Sequence, residues 1–280
     1  MIFVHGVDLV GNPSVDCADT FGKMRGKFRD YGRTGKFDSV KYYEYDSHCD
    51  HDMSHYGRHS RHFSSGHYAD GDHGAQTNIR HLGYHLAWYI WRRYTSRGRA
   101  VDVVAHSMGG LIIRYAVAQV QRDAKHFPRR LKVSDAITLG TPHGGARWAV
   151  VNCGLEECDQ MRAGSDFLVW LQNNAWEPDG TGGTDWTAMG SDDDNWVAAD
   201  RAVGTSRDRQ MDLYFGACHK VWYRSSANIE HSDYMNDMGS RADDDVYRSS
   251  PDHCGTPLKG DLTYWHPVKR AYQAISFLDR

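Results

Sequence analysis

The residues best placed to do chemistry centre on Ser107, in Ala105-His106-Ser107-Met108-Gly109. This is the G-x-S-x-G spacing of a nucleophile elbow, with alanine in the first place. Such a turn holds its serine at a strained backbone angle, so the residues two before and two after it must be small. Ala105 and Gly109 meet that need, and Gly110 lets the following helix approach a neighbouring strand. Ser107 would then stand clear of the sheet, with the helix N-terminal N–H groups aimed at any oxyanion formed there. A hydroxyl so placed attacks a carbonyl when a base takes its proton and a carboxylate orients that base. The plainer alternative is a buried serine at an ordinary strand-to-helix turn.

The flanking residues supply the elements such a turn requires. Val101, Val103, Val104 and Ala105 form an apolar, β-branched run suited to a central parallel strand. Leu111, Ile112, Ile113, Tyr115, Ala116 and Val117 continue at helical spacing. Further strands are expected at 2–4, at Val40–Tyr45, at Lys132–Leu139, at Asp185–Gly190 and at His219–Ser225. Helices are expected from a Ser14 cap to about Asp30, from Ala75 to about Tyr94, and over Trp265–Leu278. Six strands alternating with helices predict an α/β class with a mostly parallel, doubly wound sheet, read as one domain over 1–280.

Three motifs together resemble the α/β-hydrolase lipases: AHSMGG at the elbow, His5-Gly6 after the first strand, and Gly140-Thr141-Pro142-His143-Gly144-Gly145 after a later one. In style they are similar to small secreted bacterial lipases. The resemblance implies an oxyanion hole made by the backbone N–H groups of Val7 and Met108. It places the GTPHGG turn beside the nucleophile, with His143 a pocket or structural residue. It also implies the chain order serine, acid, histidine. For the acid, Asp194-Asn195-Trp196-Val197 fits a D-x-x-V run and points to Asp194, whereas counting forward from Gly190 points to Asp193. For the base, His219 opens a strand, His253 lies in a Pro/Cys loop and His266 precedes Pro267 at a helix start. Only His231 follows the C-terminal end of the last strand. The implied activity is cleavage of a carboxylic ester of a fatty acid by Ser107, His231 and Asp194, with no cofactor required.

Composition narrows the setting. A net charge of −3 gives no electrostatic case for nucleic acid, and no apolar run is long enough to span a membrane. A monomer is expected, touching a lipid interface only transiently. Six cysteines without a C-x-x-C pair fit three disulfides in a secreted protein, or six free thiols in a cytosolic one. Spacing suggests Cys153–Cys158, Cys17–Cys49 and Cys218–Cys254. The chain opens directly on a strand with no charged leader, so a signal peptide has been removed or never existed.

Two segments keep alternatives open. Residues 48–74 hold His51, His55, His59, His62, His67 and His73 among glycines and aspartates. They read as a solvated insertion loop or, with His51, His55 and His59 at helical spacing, as a metal face for zinc. The aspartates near 192–194 raise a structural calcium in the same way. Residues 146–176 are apolar enough for a lid or acyl-pocket wall, or for an ordinary covering helix pair. Two other function classes follow: a metal-binding protein organised by the His-rich loop, and an acyltransferase or thioesterase using the same three side chains.

Overall fold

The computed structural model describes residues 1–7, 15–43, 46–57, 78–147, 152–204, 215–236, 246–248, 259–261 and 266–276. Its centre is one sheet whose strands, in chain order, are β1 (Ile2–Val4), β2 (Asp38–Lys41), β3 (His51–Asp52), β4 (Val101–His106), β5 (Val133–Leu139), β6 (Asp185–Ser191), β7 (His219–Tyr223), β8 (Val246–Arg248) and β9 (Lys259–Asp261). The spatial order is β3-β2-β1-β4-β5-β6-β7-β8-β9. Every pairing from β3 to β7 is parallel, and β8 and β9 add antiparallel at the edge. The sheet is thus mostly parallel, as expected, but nine strands stand where six were expected. The three additional strands have two or three residues each, too few to leave a period in the sequence.

Strand alternation divides the core between the two faces. Ile2, Val4, Val103, Ala105, Ala136 and Ala188 face α2 (Ile79–Arg93) and α3 (Met108–Gln121). Phe3, Val104, Ile137, Leu139 and Met189 face α1 (Cys17–Asp30) and α7 (Pro267–Ser276), meeting Phe21, Met24, Phe28, Val268 and Ala271. Both faces are therefore dry, which is why the central strands read as continuous apolar runs. Among the described residues the other α-helices are α4 (Glu156–Gln160), α5 (Asp166–Asn174) and α6 (Ala199–Ala202).

Two local expectations are corrected. The cap of α1 is Asp16, whose side chain accepts from the N–H groups of Ala18 and Asp19, while Ser14 lies outside the described residues. Among the described residues 51–57, no histidine-lined helix forms. His51 is in β3 and accepts from Arg93 Nη2 at 2.8 Å, whereas His55 pairs with Asp52 at 3.1 Å. His59, His62, His67 and His73 lie outside the described residues, as does most of the 48–74 insertion.

The disulfides Cys17–Cys49 and Cys153–Cys158 are present. Cys218 is also disulfide-bonded, and its expected partner Cys254 lies outside the described residues. In the segment 146–176, Phe167, Leu168 and Leu171 of α5 are buried in the core on the α3 side. Arg114 of α3 fastens the end of that helix, donating to Ala175 O at 2.7 Å and Leu171 O at 3.3 Å. Its guanidinium sits among the last carbonyls of the helix, where the dipole favours a cation. Burial nevertheless pulls its pKa down to about 9.

At the N-terminal edge of the sheet, the register sets Asp135 of β5 directly beside Asp185 of β6. Burial, followed by the adjacent Asp102 and by Asp185, pushes the Asp135 carboxyl up to about 7, against the pull of Arg33. The folded chain therefore holds a proton there that the unfolded chain releases near pH 4. Stability from this group is full below that value and falls as pH rises towards 7. Asp135→Asn should accordingly raise the thermal midpoint relative to wild type more at pH 8 than at pH 4.5. Equal shifts at both pH values in thermal melts would contradict this.

Candidate active site

The strand-to-helix turn at Ser107 has the conformation its sequence predicts. Ser107 has φ 54° and ψ −132°, outside the regions a side-chain-bearing residue favours, and it caps α3. The end of β5 and the turn after it hold this strained turn: Ser107 N–H donates to Leu139 O at 2.8 Å, and the Thr141 hydroxyl donates to Ser107 O at 2.9 Å. The glycines after the serine differ in task from the sequence expectation. A Cβ on Gly109 would lie 2.4 Å from Val4 O, so Gly109 is the one that admits β1. A Cβ on Gly110 would lie 2.1 Å from Thr141 Oγ1, so Gly110 makes room for the GTPHGG turn.

Elements at the C-terminal ends of the strands converge on this serine, where ligands bind in open α/β sheets. His231, on the loop after β7, places Nε2 2.9 Å from Ser107 Oγ. Its Nδ1 lies 2.9 Å from Asp194 Oδ2 and 3.0 Å from Oδ1. A carboxylate only accepts, so Nδ1 carries the proton and Nε2 faces the hydroxyl as an acceptor. Asp194 follows β6 and is wholly buried, and its Oδ1 also accepts the N–H groups of Trp196 and Val197 at 2.8 and 2.9 Å. That pair of bonds is the structural content of the D-x-x-V run.

The neighbouring aspartates point elsewhere. Asp193 turns to the backbone of Asn228 and Ile229, and burial pushes its pKa up. Asp192 accepts from Trp222 Nε1 at 2.7 Å and pairs with Arg224 at 3.2 Å. The three carboxylates thus face three ways and do not converge as calcium ligands. Among the described residues, one group has metal-ligand proximity: His5, Cys17 and Cys49. Its sulfurs are spent in a disulfide and His5 Nε2 lies 2.9 Å from Asp46, so this donor set does not fit a metal ion.

Three residues around the base gave no signal as functional residues in the sequence. His106 donates from Nε2 to His231 O at 2.7 Å, pinning the loop that carries the base. Burial, then the neighbouring His231, pulls its pKa down to about 3, which keeps this ring neutral. Trp196 stacks on the His231 ring at 4.9 Å between centroids. Tyr234 donates to Asp194 Oδ2 at 3.3 Å, and burial raises its pKa well above the ordinary value. Only His106 had a position that could have pointed to it, immediately before the nucleophile. His143 is buried against Phe215 and bonds Thr138 and Arg114.

On the other side, the His5-Gly6-Val7 turn leaves β1 against the nucleophile. A Cβ on Gly6 would lie 2.5 Å from Ser107 Cβ and 2.9 Å from Oγ. Val7 N–H is in this turn, and Met108 N–H opens α3. Neither donates to a protein acceptor among the described residues. Gly6→Ala should therefore force the turn away from Ser107 and reduce kcat by about 10²–10³-fold, the cost of losing one oxyanion donor. Steady-state kinetics of the folded variant would check this, and near-wild-type turnover would contradict it.

An open cleft of about 380 Å³ lies beside these groups, lined by Gly6, Val7, Thr20, Trp196, His231 and Met235, with Asp16, Asp19 and Glu230 adding acidic groups to the wall.

Comparison with known proteins agrees with this architecture. Residues 60–169, which include the elbow but less than half of the chain, match a family described as "Putative serine esterase (DUF676)". No curated protein matches the chain. Among solved structures, the product of gene lin2722 from Listeria innocua superposes with a TM-score of 0.52 at 12% identity, covering 98% of this chain and 92% of that one. Bacillus licheniformis lipase BlEst2 in its mature form gives 0.45 at 17% identity, covering 72% and 77%. Phospholipase PlaB from Legionella pneumophila in complex with thio-NAD gives 0.44 at 15% identity. That match covers 68% of this chain, which spans only 37% of the length of PlaB. By its parallel strand order, its elbow and its likeness to the Listeria innocua structure, the chain has the α/β-hydrolase fold, with residues 60–169 similar to a serine esterase family.

Proposed function

We propose that the protein is a secreted serine hydrolase that cleaves carboxylic esters of fatty acids through an acyl-enzyme. The observation that carries this reading is the unbroken run of contacts from Ser107 Oγ to His231 Nε2 at 2.9 Å, and from His231 Nδ1 to Asp194 at 2.9 Å. In the reaction, His231 Nε2 takes the Ser107 proton as Oγ attacks the ester carbonyl. Asp194 holds the tautomer and balances the imidazolium that forms. The Val7 and Met108 N–H groups receive the developing oxyanion, each contributing roughly 2.7–4 kcal/mol if typical of such donors. The intermediate collapses as His231 returns the proton to the leaving alcohol. Water, deprotonated by His231, then attacks the acyl-enzyme and frees Ser107.

The disulfides support an oxidising compartment and hence secretion. No described helix is long and apolar enough to cross a membrane. A series of p-nitrophenyl esters from acetyl to palmitoyl tests the reading. Turnover that rises towards long chains supports a fatty-acyl substrate, and a maximum at acetyl would restrict the protein to short esters. A folded protein that turns over none of them would contradict the proposal.

A further inference from the structure

His5 and Asp46 form a buried unit that the ester mechanism leaves unused. The His5 side chain is 1% exposed and that of Asp46 is 0% exposed. His5 Nε2 lies 2.9 Å from Asp46 Oδ2, and His5 Nδ1 lies 2.6 Å from Gly6 O. Both partners are acceptors, since a carbonyl and a carboxylate have no proton to give. A neutral ring would turn a nitrogen lone pair onto one of these oxygens at hydrogen-bond distance. Both contacts are attractive only when the ring carries two protons.

The position of the Gly6 carbonyl gives this charge a consequence. Gly6 O belongs to the same peptide group as Val7 N–H, the expected oxyanion donor. A donor at the oxygen of a peptide draws electron density from its nitrogen and strengthens its N–H as a donor, as hydrogen-bonded chains polarise one another. The Tyr42 hydroxyl is shared between His5 O and Gly6 O, the latter at 3.1 Å, and its ring stacks on His5 at 4.1 Å. We propose that His5, as an imidazolium paired with Asp46, is a positioning residue that orients and polarises the Gly6–Val7 peptide for the oxyanion.

The surroundings are built to keep that pair in place. Asp46 also accepts the N–H groups of Tyr42, Tyr43 and Val15, at 3.1, 3.0 and 2.9 Å. Burial pushes its carboxyl up, but the His5 charge and these bonds outweigh that and leave it below its ordinary value. Residues 46–49 are fastened to the start of α1 by the Asp16–Ser47 bridge, by Ser47 N–H to Val15 O, and by the Cys17–Cys49 disulfide. The disulfide sulfurs lie within 4.8 Å of the His5 ring. The expected Cys17–Cys49 pairing thus acts as a strut behind the oxyanion turn.

The inference rests on the ester-hydrolase reading, and two measurements separate the failure of one from that of the other. The first is ¹⁵N NMR of the His5 imidazole in the wild-type protein at neutral pH, assigned by its loss in His5→Gln. Both ring nitrogens protonated is the expected result, and a neutral tautomer would overturn the proposal whether or not the protein hydrolyses esters. The second compares wild type with His5→Gln and Asp46→Asn on one p-nitrophenyl ester and against an alkyl boronic acid, whose tetrahedral adduct mimics the transition state. The expected loss is about 10–100-fold in kcat, less than deletion of a donor, with KM little changed. Affinity for the boronic acid should fall by the same factor. Folded variants that keep kcat and boronic acid affinity, or that lose only KM, would overturn it.

Discussion

Ser107→Ala should reduce kcat on p-nitrophenyl esters by about 10⁴–10⁶-fold while leaving the fold intact, as removal of a triad nucleophile does elsewhere. The size follows from the geometry. Ser107 is 5% exposed, its Oγ is the atom 2.9 Å from His231 Nε2, and among the described residues no second hydroxyl bonds that nitrogen. The residual rate would come from the oxyanion donors and from bound substrate positioned near water. Alanine at this point also relieves nothing in the backbone. The strain at φ 54° is imposed by the Leu139 and Thr141 contacts, which the substitution keeps. Circular dichroism and thermal melting should therefore match wild type, so the loss can be read as chemistry.

Asp194→Asn should cost about 10⁴-fold in kcat, with Asp193→Asn close to wild type. An amide at position 194 can turn its NH₂ towards His231 and favour the tautomer with the proton on Nε2, which cannot accept from Ser107. Asp193 does not touch the imidazole, since its partners are the backbone of Asn228 and Ile229. The contrast between adjacent substitutions is the informative part. Two equal losses would mean that the loop after β6 matters only for its conformation.

The candidate site was legible in the sequence to the extent that its residues belong to local motifs. The elbow needs small residues within a few positions, and the D-x-x-V run bonds its own backbone, so Ser107 and Asp194 could be read from short stretches. His231 could be read because it lies on the loop directly after the last central strand, whereas His253 and His266 lie further along the chain. The parallel order of the sheet was legible for a similar reason, since both faces of its central strands are buried and those strands are rich in apolar residues.

What was not legible depends on contacts between distant residues. His106 meets the His231 carbonyl across 125 positions, and Asp46 meets His5 across 41. Neither contact leaves a period or a spacing to read. The three added strands gave no pattern because each has only two or three residues. The histidines at 51 and 55 had helical spacing, yet parallel pairing of His51 with Val40 put His51 into a strand and left His55 in the turn after it. Gly110 was expected to admit a neighbouring strand, yet Gly109 faces β1 and Gly110 faces Thr141, because which neighbour each admits is decided by how α3 docks on the sheet.

Labelling with an alkyl fluorophosphonate tests the central claim most directly, because it requires an activated serine and no knowledge of the natural ester. The account predicts a covalent adduct on the peptide containing Ser107, detected by mass spectrometry, and none in Ser107→Ala. It also predicts strongly slowed labelling in Asp194→Asn. A folded wild-type protein that takes up no label, or that takes it at a residue other than Ser107, would contradict it.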